Sequence, residues 1–254
     1  MGTAAADTLV LAKRSLRRIQ RAPDLLLAFT VQPIMFVLLF AYVFGGAIDT
    51  GPVDYVDFLM PGIVVQSIAF GGFVTALGLA EDLRKGLIDR FRSLPMSHGA
   101  VLAGRTVADI FTNAIQLVVL MTVGVIIGFS FDTTVPEALA GFLLMLLLGY
   151  AFSWVFAWIG LSASSPEAAQ SVGFIAIFPL TFISSAFVPP QTMPDALQAF
   201  ADANPFTTMV DAMRSLWIGT PAGSDVWLAF VWAIGIAIVF AFLAIRRFKR
   251  VLAK

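Results

Sequence analysis

Cysteine is missing from all 254 residues, histidine occurs once, as His98, and charged side chains make up only 13% of the chain. The first absence excludes disulfides and thiolate metal sites, and the second excludes any multi-histidine metal centre. The third separates the chain from soluble domains of this size, in which about a quarter of the residues are charged. Two further features are missing: a nucleophile, base and orienter in the arrangement of a hydrolase, and a glycine-rich cradle for phosphate. The nearest match, "GAVLAGRT" (Gly99–Thr106), has Arg105 where a phosphate-binding loop carries lysine, and it opens an apolar run instead of following a strand. The chain is therefore expected to hydrolyse nothing itself and to bind no metal or cofactor. Net charge is zero, and nucleic acid is not among the expected partners.

What is abundant is apolar. Hydrophobic residues make up 59% of the chain and phenylalanine alone contributes 24, with a mean hydropathy of +0.91. A membrane-crossing helix needs about 20 mostly apolar residues. Six stretches meet that length, at about 25–48, 58–80, 104–129, 138–162, 168–188 and 226–245. The first is longer than a signal-peptide core of about 7–15 apolar residues, so it reads as an uncleaved anchor. Fifteen of the sixteen basic residues lie before span one, between spans two and three with Arg105 at the entrance of span three, or after span six. The positive-inside rule puts that side in the cytoplasm. The expected fold is an all-α integral membrane protein with six transmembrane helices and both termini cytoplasmic.

Between spans two and three lies "EDLRKGLIDRFRSLP" (81–95). Its seven charges, on Glu81, Asp82, Arg84, Lys85, Asp89, Arg90 and Arg92, would cost on the order of 20 kcal/mol to bury at mid-membrane. Leu83, Leu87, Phe91 and Leu94 nevertheless fall on one stripe of a 3.6-residue helix, Glu81 precedes Lys85 by four, and Pro95 supplies a stop. A cytoplasmic amphipathic helix is expected, either resting on headgroups or docked on a cytosolic protein. Charges of both signs favour a protein over an anionic lipid surface. Residues 8–22 carry an almost purely basic polar face, which suits a helix in the headgroup plane or a simple orientation signal.

Before span six, "NPFTTMVDAMRSLWIG" is punctuated as a helix: Asn204 as N-cap, Pro205 at the first position and Gly219 at the stop. Phe206, Met209, Val210, Met213 and Trp217 share one face, and Arg214 lies one turn after Asp211, in reach of a pair. At about 21 Å this helix is too short to span. With the preceding "VPPQTMPDALQAF" it forms either a helix pair dipping into the outer leaflet or an amphipathic surface loop, over about 192–218.

Inside the spans, ionisable residues are scarce. Asp109 is the main one, with a pairing role to Arg105 four residues earlier preferred over ion coupling. Gln32, Gln66, Asn113, Gln116 and Gln170 suit interhelical hydrogen bonds, and Gly71, Gly72 and Gly78 allow close packing. Gln66 with Phe70, Phe73, Phe174, Phe178 and Phe182 would suit a bulky apolar passenger, although lipid-facing filler accounts for single rings equally well.

The segment "EDLRKGLIDRFRSLPMSHGAVLAGR", with "FPLTFISSAFVPPQTMP" and "NPFTTMVDAMRSLWIG", resembles the permease subunits of type-2 ABC exporters, in particular the daunorubicin/doxorubicin-resistance group. The resemblance runs over essentially the whole chain. It implies two permease copies, expected as a homodimer, with two separate ATP-binding subunits that hold ATP and magnesium. It also implies a coupling helix at 81–95 and outer re-entrant helices at 192–218. The substrate it implies is hydrophobic and drug-like or lipid-like. An exporter of envelope lipid or glycan, a six-span anchor without a pathway and a proton-coupled carrier relying on Asp109 are the competing readings.

Overall fold

The computed structural model describes residues 23–48, 50–86, 98–221 and 223–252, and within them every regular element is helical. In chain order these are α1 (Pro23–Leu39), continued by a π-helical turn (Phe40–Phe44), α2 (Tyr55–Gly71), α3 (Phe73–Arg84), α4 (His98–Ile126), α5 (Val135–Ser162), α6 (Pro166–Phe182), a 3₁₀ turn (Pro190–Thr192), α7 (Asp195–Ala203), α8 (Pro205–Ile218) and α9 (Asp225–Leu252). The interfacial helix expected over 8–22 lies outside the described residues.

Four of these runs are long and apolar enough to cross a bilayer: Tyr55–Arg84, Leu102–Ile126, Val135–Ser162 and Asp225–Val251. The first and fifth apolar stretches form shorter helices. α6 stops at Phe182, where the chain turns into the irregular segment that precedes α7 and α8. Span two is longer than its apolar run suggests, because α2 and α3 meet head to tail at Gly72, which keeps right-handed helical dihedrals. Its last turn takes in Glu81–Arg84. The helix expected to run on through Leu94 is broken there: Lys85 caps α3 and Gly86 adopts φ +65°, a left-handed conformation that ends the helix. Leu87, Asp89, Arg90, Phe91, Arg92 and Leu94 lie outside the described residues.

α5 is the central helix, packed against α2, α3, α4, α6, α8 and α9. Its start is a capping box, with Thr134 as N-cap and the Glu137 carboxylate accepting from the Thr134 backbone N–H at 2.9 Å. α9 packs along α5 and α8 and buries Ala229, Ala233, Ala237 and Ala244, small side chains at intervals of four, four and seven that let the backbones approach. The opposite face of α9 is exposed, so that only 17% of its most apolar stretch is buried, against 78% for Tyr55–Arg84. That difference separates a lipid-facing helix from one enclosed by protein. Arg247, near the end of α9, turns inward and donates from Nε to the Leu161 carbonyl at 3.2 Å. It thereby satisfies one of the carbonyls that the last turn of α5 leaves open.

Candidate transport site

Three features surround the region between α2, α4 and α6: an aromatic cleft, a polar seam and a cap built on α8. The cleft has a volume of about 230 Å³. Gln32, Pro33 and Phe36 of α1 line one side, Gln66, Ser67 and Phe70 of α2 and Gln116 of α4 line another, and Phe174, Phe178 and Phe182 of α6 line the third. The four-residue spacing of the α6 phenylalanines puts their rings on one helix face. They stack at 4.7 Å (Phe174–Phe178) and 4.2 Å (Phe178–Phe182). The series continues through Phe187 at 5.0 Å, Phe40 at 4.7 Å and Phe44 at 5.1 Å, running from the cleft into the π-helical turn after α1. Phe174 and Phe178 remain 45% and 36% exposed, so their faces are open to a guest. Gln66 sets the polar rim, donating from Nε2 to Thr181 Oγ1 at 3.3 Å.

Five of the six residues expected to line a pathway meet here. Phe73 does not. It is buried against Phe156, with ring centroids 4.5 Å apart, and holds α3 to α5. Gln32 and Gln116 had stood out in the sequence only as polar residues inside spans. Phe36 gave no such signal, because nothing in a run of apolar residues says which face is enclosed.

The polar seam runs along one face of α4 through Arg105, Asp109, Asn113 and Gln116. Arg105 pairs with Asp82 of α3, Nη1 to Oδ2 at 3.0 Å, and not with Asp109 as the i, i+4 spacing suggests. The cause is space: Gly78 has no side chain, and a methyl there would overlap the Arg105 guanidinium, which instead reaches across to α3. Asp109 accepts a hydrogen bond from Thr75 Oγ1, also across the α3–α4 contact. Asn113 packs between Gly71 and Gly149. Glu81 and Lys85 pair at 3.3 Å, as their spacing predicts.

The cap, expected from the sequence as the outer gate, is built on α8. Asn204 accepts from the Phe206 backbone N–H at 3.0 Å as N-cap, Pro205 opens the helix, and Gly219 closes it with φ +70°. Phe206, Met209, Val210, Met213 and Trp217 are all buried. The Asn204 amide also donates to the carbonyls of Leu180 and Ile183, both at 2.7 Å, at the frayed end of α6. Arg214, 4% exposed, pairs with Asp211 at 2.8 Å, the partner its spacing predicts. It donates further to the carbonyls of Phe58 (3.1 Å) and Ser185 (2.5 Å), and its guanidinium lies 3.6 Å from the centre of the Phe58 ring. The broken backbone between α6 and α7 is tolerable within a membrane protein because these two side chains satisfy its carbonyls. The carbonyl contacts were not legible in the sequence, where spacing gave Arg214 only its pair with Asp211.

The chain belongs to the ABC-2 type transporter family, whose model matches residues 6–218. It is thus a transmembrane permease of that family, located in the membrane. It is similar to "Daunorubicin resistance ABC transporter permease protein DrrB1" of Streptomyces coeruleorubidus, at 34% identity over 97% of this chain and 87% of the relative. It is also similar to "Probable doxorubicin resistance ABC transporter permease protein DrrC" of Mycobacterium tuberculosis, at 25% identity over 93% and 86%. A third relative, "Probable multidrug ABC transporter permease YbhR" of Escherichia coli, is 24% identical over 68% and 47%.

Proposed function

We propose that this chain is the permease subunit of an ATP-driven exporter that moves a hydrophobic, drug-like or lipid-like molecule out of the cell. The aromatic cleft carries the reading. Stacked rings with exposed faces, beside the amides of Gln66 and Gln116, favour a flat apolar guest with a few polar substituents, since each aromatic contact adds about 0.5–1.5 kcal/mol beyond simple burial. The ladder from Phe174 to Phe44 then offers successive surfaces toward the outer cap, where Asn204, Asp211, Arg214 and Trp217 hold the closure. The drug-resistance permeases among the relatives support the same substrate class.

Six spans with cytoplasmic termini fit the charge pattern, with α1 and α6 as the two shorter crossings. Two copies of this chain would work with two ATP-binding subunits that hold ATP and magnesium, docking on the charged segment that begins at Glu81 and includes Arg90 and Phe91. Tying its entrance and exit together, the Asp82–Arg105 pair suits a segment that receives mechanical load. The family membership supports an ATP-binding partner.

The test is reconstitution of the full chain with its ATP-binding subunit in vesicles loaded with a fluorescent anthracycline. Wild type should export the dye in an ATP-dependent manner, and Phe178→Ala should lower its apparent affinity while leaving basal ATP hydrolysis in place. An acyl lipid could occupy the same apolar walls, and competition by excess short-chain phospholipid distinguishes a lipid exporter from a drug exporter. Equal dye export with and without the permease would overturn the reading.

A further inference from the structure

A second concavity lies well away from the cleft, at the C-terminal end of α9. It measures about 410 Å³ and is lined by Phe242, Ile245, Arg246, Lys249 and Arg250. The three basic side chains are exposed, and among the described residues no carboxylate forms an ion pair with them. A helix C-terminus attracts cations in general, which accounts for the sign of the charge but not for its placement. Arg247 shows the difference: it lies on the other face and is taken up by the Leu161 carbonyl, whereas Arg246, Lys249 and Arg250 point together into one groove.

Their position along the helix identifies what they meet. Val231, Ile234, Ile238 and Phe242 are exposed at spacings of three and four, and so form the lipid-facing stripe of α9. Continuing the same spacing by four and then three leads to Arg246 and Lys249. The apolar wall of the groove is therefore the last part of a face that runs along acyl chains, and its cations stand where that face reaches the headgroups. A cytosolic protein would meet this groove only with Phe242 and Ile245 facing hydrocarbon, so it fits less well.

We propose that Arg246, Lys249 and Arg250, with Phe242 as the apolar floor, bind the phosphodiester headgroup of an anionic phospholipid in the leaflet surrounding the C-terminal end of α9. Guanidinium groups can take phosphate oxygens in pairs while the ammonium supplies a point charge. One acyl chain would lie along Phe242 and Ile238. This site is independent of the export reading, because neither the cleft nor an ATP-binding partner enters the argument.

The experiment uses the full chain in nanodiscs of phosphatidylcholine and phosphatidylglycerol with matched acyl chains, released for native mass spectrometry. Wild type should retain phosphatidylglycerol over phosphatidylcholine by at least about tenfold, from about three near-surface charges acting together. Arg246→Gln/Lys249→Gln/Arg250→Gln should bring the ratio close to one, and Arg246→Lys/Arg250→Lys should keep most of the preference. The proposal fails if wild type shows no preference or if the triple variant keeps it. It fails equally if millimolar inorganic phosphate displaces the lipid, which would indicate a free-anion site. Loss of a co-purifying ATP-binding subunit in the triple variant, with lipid retention unchanged, would make the groove a protein interface instead.

Discussion

Removal of the Arg214 side chain is the sharpest test of the cap on α8. In Arg214→Met the apolar stem remains to cover Phe58, so the loss is confined to the guanidinium. That group serves the Asp211 carboxylate and the carbonyls of Phe58 and Ser185, which lie on three different segments. Asp211 keeps one donor, the Ser185 hydroxyl at 2.8 Å, and is one-third exposed, so its share of the penalty is reduced by water. The Ser185 carbonyl, outside any helix, has no such relief, at about 1–3 kcal/mol for a buried group left unpaired, whereas the Phe58 carbonyl keeps its intrahelical partner in α2 and loses only a second donor. Adding the partly screened carboxylate brings the expected loss to about 2–4 kcal/mol, reaching into the range for breaking a buried charge pair. A single neutral hydrogen bond between membrane helices contributes only about 0.6 kcal/mol on average, so a value above about 2 kcal/mol distinguishes a multi-segment clamp from an ordinary contact. At about 2–4 °C per kcal/mol for a chain of this size, the melting temperature in detergent should fall by on the order of 10 °C, followed by the fluorescence of Trp217, which is fully buried one turn away. Arg214→Lys should recover only part of the loss, because an ammonium lacks the fork needed to reach three acceptors at once. The Asp211→Asn/Arg214→Met double variant should be less destabilised than the sum of the singles, by about 0.5–3 kcal/mol. A change within about 0.5 kcal/mol for Arg214→Met, as at an ordinary surface position, would refute the clamp.

Phe178→Ala should weaken substrate binding by about tenfold, read as dye affinity, because it removes two stacked neighbours, whereas Phe73→Ala should cost about 3–5 kcal/mol of stability by opening a core cavity. Asn204→Ala should destabilise by about 2–4 kcal/mol, since the N-cap and both α6 carbonyl contacts go together, and limited proteolysis should then cut the 183–194 segment first. Asp109→Asn preserves an acceptor for Thr75, so transport should survive; loss of transport with ATP hydrolysis intact would revive the proton-coupled reading. Arg105→Gln should leave dye binding unchanged but lower substrate-stimulated ATP hydrolysis several-fold, measured in the reconstituted complex.

The helices were legible wherever punctuation or periodicity carried a physical cause. α8 begins at Asn204–Pro205 and ends at Gly219 because capping and the left-handed stop are local, needing no knowledge of the rest of the fold. The Asp211–Arg214 and Glu81–Lys85 pairs follow from helical spacing alone. The same rule failed for Arg105 and Asp109, because the gap at Gly78 let the longer side chain reach across to Asp82. Gly86 was hidden in a segment whose leucines and phenylalanine kept a helical period straight through it, and its positive φ overrode that pattern. The cleft was half visible: ring spacing on α6 fixes which phenylalanines share a face, but whether that face meets protein or lipid depends on how α1 packs. Phe73 was misassigned for this reason, as its exposure is decided by Phe156, more than eighty positions away in sequence.

The seam and the cleft share one helix face, so on the proposed coupling reading a push on the charged segment after Arg84 would have a mechanical path to the cleft. Arg105, Asp109, Asn113 and Gln116 follow one another on α4 at intervals of four, four and three, so they form a single stripe about 16 Å long. At the Arg105 end the stripe is fixed to α3 through Asp82 and Thr75, and at the other end Gln116 stands in the wall of the cleft. Between them Asn113 fills the space left by Gly71 and Gly149, so α4 cannot slide past α2 and α5 without displacing a buried amide. A push on the segment after Arg84 thus has two ways to act: it moves α3 and α4 together as a unit, or it breaks the Asp82–Arg105 pair and leaves α4 behind. The first reshapes the cleft by shifting Gln116 against the rings of α6, and the second does not. Arg105→Gln enforces the second case without touching the cleft, which is why it should separate binding from coupling.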